Sequence, residues 1–333
     1  MNLINVKDYG ATGNGTTNDS AAIAAAIAAI GPAGGALFFP PGIYLRSGDT
    51  ALTGRADITV FGTPGTVTLT RPAGDQSSIL LFVNCDRIKV IGLGFDGQRR
   101  LGGITGGTKF CLAFENSRDV DVLDCDFFDC LALGFFQGTQ RGSVSRSTFR
   151  RTALAAVTIG GEYPGASGTA ATPAVLAVSV QGCRFLATAN EAVDVNWTAY
   201  DIIISDNTML DCYIAADSQT EVVDIGGSSL LLGNCLITGN VIRCDAGMAT
   251  SQAQTGIRIK QATATLLISN NLITGLVGTT GTGIFLATDV QRATVSGNVV
   301  QGGPRGINCG GRRVAITGNH LIGQTNYGVA LNS

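Results

Sequence analysis

One short pattern recurs along the chain from about residue 80 onward and limits the folds available to it. The pattern is an apolar/polar alternation, a small polar residue, Asn or Cys, and an apolar residue two positions later, as in Val122-Leu123-Asp124-Cys125-Asp126-Phe127 and Ile237-Thr238-Gly239-Asn240-Val241-Ile242. A unit that returns at intervals of a few tens of residues is typical of a solenoid. The Asn or Cys position, filled by Leu93 and Ser147 in two less regular copies, lies at residues 93, 125, 147, 183, 207, 240, 271, 298 and 319.

These intervals of 21 to 36 residues predict the coils of a parallel β-helix, with the extra residues of longer coils in external loops. Each coil supplies short strands that pair with the coils before and after it, and its apolar side chains face a shared interior. An Asn that faces inward at a bend can bond its own turn and the Asn of the next coil, which builds a ladder. The sequence therefore predicts an all-β fold, a single-stranded right-handed parallel β-helix.

The first part of the chain predicts a cap for this solenoid. Asn18-Asp19-Ser20 precedes the alanine-rich run 21–30, in which isoleucines stand at helical spacing, and side-chain oxygens of the polar cluster should accept from the first-turn N–H groups. A helix here would cover the apolar layers that an open solenoid end exposes. We expect one domain over residues 1–333, with the capping α-helix and the first strands (36–39 and 42–45) in residues 1–45 and the coils in 46–333.

Composition excludes several classes of protein. Hydrophobic residues make up 45% of the 333 residues and charged residues 14%, so the chain can bury a large core. With 22 basic and 24 acidic residues it lacks the basic surplus of a nucleic-acid binder. The nine cysteines form no CxxC pair and are expected to be buried free thiols. A single histidine, His320, argues strongly against a His-rich metal site or a His-based hydrolase triad.

No membrane-spanning segment is expected, because no stretch reaches the roughly 18 apolar residues that a spanning helix needs. No secretory signal is visible at the start of the sequence either, since the polar, charged segment 5–8 follows Met1 within a few residues.

Acidic and basic residues share one strand position on successive coils. Glu191-Ala192-Val193-Asp194-Val195 recurs thirty residues later as Glu221-Val222-Val223-Asp224-Ile225, and the next coil gives the segment 255–260. Alternation turns the valines and isoleucines of these strands inward. The outward column is then predicted to contain Phe136, Thr158, Asp194, Asp224, Arg258, Phe285 and Asn308.

This column predicts a catalytic groove. Two carboxyl groups on strands about 4.8 Å apart should not both ionise freely, so Asp194 and Asp224 are candidates for an acid/base pair. Arg258 and Lys260 are candidates to hold a uronic acid carboxylate or developing charge. The aromatic candidates for contact with sugar rings are Trp197, Tyr200, Phe136 and Phe285.

Glu191 and Glu221 lie at the strand entrance as further acid, base or metal-ligand candidates. An alternative interpretation of the whole column is a solvated strand face with ion pairs between neighbouring strands, which needs no function. Two like charges on adjacent strands are unfavourable, and this favours a functional groove.

The N-terminal segment resembles a known superfamily. The residues that carry the resemblance are Val6-Lys7-Asp8-Tyr9-Gly10-Ala11, Gly13-Asn14-Gly15, Asn18-Asp19, Ala22-Ile23, Gly34-Gly35, Phe39-Pro40-Pro41-Gly42 and Tyr44. They are similar to the entry of the pectate-lyase-like β-helices, which include polygalacturonase-type hydrolases, polysaccharide lyases, mannuronan epimerases and phage tailspike depolymerases. One fold hosts many chemistries, so the resemblance implies the fold more than the reaction.

The stretch 256–260 is similar to the Arg-Ile-Lys motif with which polygalacturonase-type hydrolases bind substrate carboxylates. Asp194 and Asp224 lie upstream, roughly where those hydrolases keep catalytic aspartates. The Asn-Thr-Asp, Asp-Asp and Gly-His-Gly motifs of those hydrolases and the Asp-Pro-His-Glu motif of the epimerases are absent.

Together these features predict a carbohydrate-active enzyme whose partner is a polysaccharide. Glycosidic hydrolysis is expected, without a cofactor. β-Elimination is the close alternative, and there calcium or arginine would neutralise the substrate carboxylate. A different class stays open, a non-catalytic glycan-binding or structural β-helix of the tailspike or adhesin type, which would be a homotrimer if tailspike-like. For either class we expect an extracellular or virion-surface location.

Overall fold

A computed structural model describes residues 2–98, 110–152, 155–161, 174–196, 198–212, 221–226, 233–244, 254–262, 264–276 and 281–332. Every strand pair in these ranges is parallel, and the strands form three long sheets that wind around one core. The chain visits the first, second and third sheet in turn and then starts the next coil. The predicted right-handed parallel β-helix is confirmed.

The first sheet has 13 strands in the described residues. They are Leu3–Asn5, Gly35–Phe39, Ala56–Gly62, Asp86–Ile91, Arg118–Leu123, Gln140–Ser145, Val175–Gln181, Ala199–Tyr200, Ile202–Ser205, Cys235–Thr238, Leu266–Ser269, Ala293–Ser296 and Val314–Thr317.

The second sheet has 12 strands in the same part of the chain. They are Asn14–Asn18, Gly42–Leu45, Val67–Thr70, Gly94–Asp96, Asp126–Phe128, Thr148–Arg150, Arg184–Leu186, Thr208–Leu210, Val241–Arg243, Leu272–Thr274, Val299–Gln301 and His320–Ile322.

The third sheet, with 11 described strands, carries the predicted groove. Its strands are Ala51–Thr53, Leu80–Val83, Leu112–Glu115, Leu133–Phe135, Val157–Ile159, Val193–Val195, Glu221–Ile225, Thr255–Ala262, Thr282–Val290, Arg305–Cys309 and Tyr327–Leu331.

Like side chains stack on like along the interior. Phe95, Phe127, Phe149 and Phe185 hold the same position on four successive strands of the second sheet, with ring centroids 4.8 to 4.9 Å apart and rings within 8° of parallel. This spacing equals the distance between neighbouring strands, so each coil continues the core of the one before it. All nine cysteines are buried free thiols, as predicted.

The predicted asparagine ladder is present between the first and second sheets. Each Nδ2 of Asn207, Asn240, Asn271 and Asn298 donates to the Oδ1 of the next asparagine at 2.9 Å, and the last acceptor is Asn319. The same Nδ2 atoms also donate to backbone carbonyls of the preceding coil, as Asn271 does to Ile237 at 3.0 Å. The ladder therefore satisfies the buried polar groups of a bend that recurs on every coil.

The N-terminal cap contains the expected α-helix, Ser20–Ala28, and a 3₁₀ helix, Val6–Tyr9. Asn18 Oδ1 accepts from the backbone N–H of Ser20 at 3.0 Å, while the Asp19 carboxylate turns back to the N–H groups of Thr12 and Gly13. Two strands, Leu3–Asn5 and Asn14–Asn18, precede the helix, so the expectation that the first strands follow it was wrong. No helix in the described ranges is long and apolar enough to cross a membrane.

Candidate active site on the third sheet

The outward column of the third sheet is largely as predicted. Asp194 pairs with Thr158 on one side and with Asp224 on the other. Asp224 pairs in turn with Arg258, and the column continues through Phe285 to Asn308. The two aspartates are therefore neighbours across one strand-to-strand step, with a cation on the following strand.

The column differs from the prediction at Phe136. Gly134, not Phe136, is in register with Thr158. Phe136 lies beyond the end of its strand, and its ring folds back over Gly134, where it fills the space that a Cβ atom would need. Its neighbours are apolar, with the ring of Phe110 at 5.0 Å, and only 2% of the residue is exposed. Phe136 therefore does not offer a face for a sugar ring.

The two aromatic candidates after Asp194 have different outcomes. Tyr200 belongs to the first sheet, where it pairs with Leu176, because the chain has already turned out of the third sheet. Its ring lies against Gly233. Tyr200, predicted to contact sugar rings, therefore lies outside the column of Asp194. Trp197 lies outside the described residues.

Asp224 is the anchor of an ion-pair network. Arg258 donates to both of its carboxylate oxygens, from Nε at 3.1 Å and from Nη2 at 3.0 Å, and Lys260 Nζ donates to Oδ2 at 2.7 Å. Arg258 Nη1 also forms an ion pair with Glu221. The side chains of Glu221 and Asp224 are 1% and 4% exposed, whereas those of Arg258 and Lys260 are 22% and 36% exposed. Arg258 and Lys260, the two predicted substrate-binding cations, thus form ion pairs with buried acids and remain partly exposed at the groove.

Glu191 brings a third buried acid to this point. One carboxylate oxygen from each of Glu191, Glu221 and Asp224 lies within 4.8 Å of the others. Together with Asp194, four carboxyl groups stand around the two cations Arg258 and Lys260. The cluster therefore has two more acids than bases, and burial in low dielectric makes an uncompensated negative charge costly.

Two of the four acids have raised pKa values, which favour their uncharged, protonated forms. Burial raises the pKa of Glu191 to about 7, and the nearby charges of Asp224 and Glu221 add to the rise. Burial also raises the pKa of Asp194 well above its ordinary value, with Glu191 and Asp224 as the next causes. Asp194 is only partly buried, so a molecule in the groove can reach its carboxyl group, whose raised pKa favours the protonated form.

Asn196 is a member of the site that the sequence interpretation did not name. Its Nδ2 donates to Oδ2 of Asp194 and holds the carboxyl group in place. The two residues are two positions apart at the same strand end, so both side chains leave the same face. Strand alternation in the sequence would have been enough to predict that Asn196 lies beside Asp194.

Among the described residues, Glu191, Glu221 and Asp224 are the acids that come close enough together to hold a metal ion such as calcium. Calcium needs six to eight oxygen ligands. Here Arg258 and Lys260 occupy the oxygens of Asp224, and Arg258 also occupies Glu221. The site as it stands fits cationic side chains rather than a metal ion.

Comparisons with known proteins agree on the fold. The family model described as rhamnogalacturonase A/epimerase, pectate lyase-like, matches residues 3–84. No curated protein matches the chain in sequence. The surface adhesin PfbA of Streptococcus pneumoniae has a TM-score of 0.73 at 16% identity, over 98% of this chain and 93% of that chain.

Two enzymes are similar over comparable lengths. The alginate lyase of Paenibacillus sp. str. FPU-7 has a TM-score of 0.61 at 12% identity, over 100% of this chain and 99% of that one. The exopolygalacturonase of Thermotoga maritima has a TM-score of 0.59 at 13% identity, over 99% and 91%. At these identities the likeness shows the shared fold.

Proposed function

Because this chain is a right-handed parallel β-helix whose residues 3–84 match a pectate lyase-like family model, we propose that it is an enzyme that acts on a polysaccharide along the third sheet. The observation that carries the proposal is Asp194, a reachable carboxyl group with a raised pKa, backed by buried acids and flanked by two cations. Clusters that shift pKa values in this way are typical of catalytic sites.

The reaction that this arrangement supports best is glycosidic hydrolysis. Asp194 holds the proton that a leaving glycosidic oxygen needs. Of its neighbours, Glu191 has a pKa near neutral pH and is the proposed base that takes a proton from water. Asp224, first predicted as the second member of the pair, is the proposed positioning residue, because its contacts orient Arg258 and Lys260.

The exposed sides of Arg258 and Lys260 are the proposed binding point for an acidic sugar. Guanidinium and ammonium groups form charge-assisted hydrogen bonds with a uronic acid carboxylate. Phe285 is partly exposed on the next strand and offers a ring face to the adjoining sugar. The proposed substrate is therefore a polysaccharide that contains uronic acids, met outside the cell or on a virion surface.

Two other functions have specific support. The same cations can neutralise a uronic acid carboxylate for β-elimination, in which a base removes the C5 proton. The ion pairs of Asp224 also satisfy one another without a substrate, as they would in a protein that binds glycans and does no chemistry.

An activity screen on polygalacturonate and alginate separates these functions. New reducing ends without ultraviolet absorbance mean hydrolysis, and absorbance from an unsaturated uronate means elimination. Asp194→Asn is expected to lose roughly a hundredfold or more in rate with the fold intact. Asp121→Asn is the matched control, since Asp121 is an exposed outward acid of the first sheet. Full activity in Asp194→Asn, or binding without any product, would overturn the proposal.

A further inference from the structure

The outward face of the third sheet changes character on the N-terminal side of the acidic site. The outward positions there are Leu81, Ala113 and Gly134, in register with one another and with Thr158. They are apolar and buried although they face away from the core. We call the group that covers this face the outer apolar cluster, and its members are Leu81, Phe110, Ala113, Leu131 and Phe136.

The outer apolar cluster comes close to the acids. Gly134 is separated from Asp194 by the single strand that carries Thr158, which places it about 10 Å away along the sheet. The ring of Phe136 rests directly on Gly134, and Phe110 packs edge-on against that ring. Thr158 itself is 9% exposed. A chain of sugars lying on the sheet would meet this packed cluster soon after passing Asp194.

On the opposite side of the site, several of the described residues are partly exposed and suited to an acidic glycan. Arg258 is 22% exposed and Phe285 is partly exposed, and the next strand brings Asn308, a buried amide that accepts from Asn332. At the edge of the same strand Arg305 lies over the ring of Tyr327, 5.5 Å from its centroid, and both are partly exposed. Cationic, amide and aromatic groups thus continue toward the C-terminal coils.

From this asymmetry, and resting on the proposed function, we infer that the groove is closed on one side and that the enzyme cleaves at the end of the polysaccharide chain. The terminal sugar fills the short space between Asp194 and the outer apolar cluster. The rest of the polymer lies over Arg258 and Phe285, toward Arg305 and Tyr327. The released product is accordingly short and of one size.

The product profile tests this inference on the full chain. With polygalacturonate or alginate as substrate, we expect one short product from the first minutes, and viscosity that falls slowly relative to bond cleavage. An early ladder of product sizes with a rapid loss of viscosity would overturn the inference and leave the proposed function intact. If neither polymer were cleaved, both the inference and the proposed function would be contradicted.

Variants at the cluster test its role directly. Phe136→Ala uncovers Gly134 and is expected to shift the profile from one product to a ladder of sizes. Phe128→Ala is the control, because Phe128 is also an outward phenylalanine but lies on the second sheet, beneath Arg150. A wild-type profile in folded Phe136→Ala would contradict the inference. If that variant does not fold, the wild-type profile still decides.

Discussion

Replacing Arg258 with methionine should destabilise the fold more than any exposed ion pair can explain. The substitution keeps most of the length of the side chain and removes the charge that Asp224 and Glu221 share. Both carboxylates are almost wholly buried, and Asp224 keeps only its 2.7 Å contact with Lys260. Breaking a buried pair by removing one partner costs about 3–5 kcal/mol, because a buried charge is left uncompensated.

The retained lysine contact places the expected loss of unfolding free energy for Arg258→Met near 3 kcal/mol, about the lower end of that range. Arg146→Met is a matched control. Arg146 binds Asp124 with the same two-nitrogen geometry, at 2.9 Å from both Nε and Nη2, across one strand-to-strand step. Its side chain is 62% exposed, against 22% for Arg258. Screening by water should make its loss small.

Urea-induced unfolding followed by circular dichroism measures both variants under the same conditions. A loss in Arg258→Met that is no larger than the loss in Arg146→Met would refute the reasoning that burial sets the strength of these pairs. A loss below about 1 kcal/mol would do the same.

Three further predictions concern stability. Glu191 binds its proton more tightly in the folded state, so the unfolding free energy of the wild type should fall by roughly 3 kcal/mol as pH rises from 4.5 to about 7. Glu191→Gln should remove this part of the pH dependence of the melting temperature, and an unchanged pH dependence would contradict the prediction. Asn271→Ala leaves buried ladder partners unsatisfied and should lower the unfolding free energy by about 1–3 kcal/mol. Asn319→Ala, at the less buried last position of the ladder, should lower it less, and equal denaturation midpoints for the two variants would contradict this prediction. Phe127→Ala opens a cavity inside the aromatic stack and should cost about 3–5 kcal/mol in the same assay, whereas a near-wild-type midpoint would mean that the stack collapses around the gap.

The coils and the groove column could be predicted because a parallel β-helix obeys two simple periods. Alternation along a strand assigns each residue to the inside or the outside, and the coil repeat brings equivalent residues together on neighbouring strands. Asp194, Asp224 and Arg258 stand in strands where valine and isoleucine alternate with polar residues, so their phase was unambiguous.

The failures have equally local causes. Phe135 and Phe136 are both aromatic, so alternation gave no phase there, and the structure places Phe135 inside. The chain enters the first sheet at Ala199, and the sequence interpretation did not use Asn196, a turn-favouring residue, as the signal of a bend before Tyr200. The strand Asn14–Asn18 is polar and mostly exposed, so it carries no hydrophobic signal.

The sequence also could not assign partners to charged side chains. It placed Arg258 and Lys260 beside Asp224 but left their directions open, because long side chains have many rotamers. The contacts that bind them to Asp224 become evident only with the side chains in place. The same is true of the burial and the neighbouring acids that raise the pKa values of Glu191 and Asp194.

A crystal structure of Asp194→Asn soaked with a tetrasaccharide of galacturonate or of alginate tests the central claim most directly. The account predicts a sugar chain on the third sheet, with one carboxylate on Arg258 or Lys260 and a ring over Phe285. The chain should end between the substituted position and the ring of Phe136. Sugar bound on the first or second sheet, or extending across Gly134, would contradict the account.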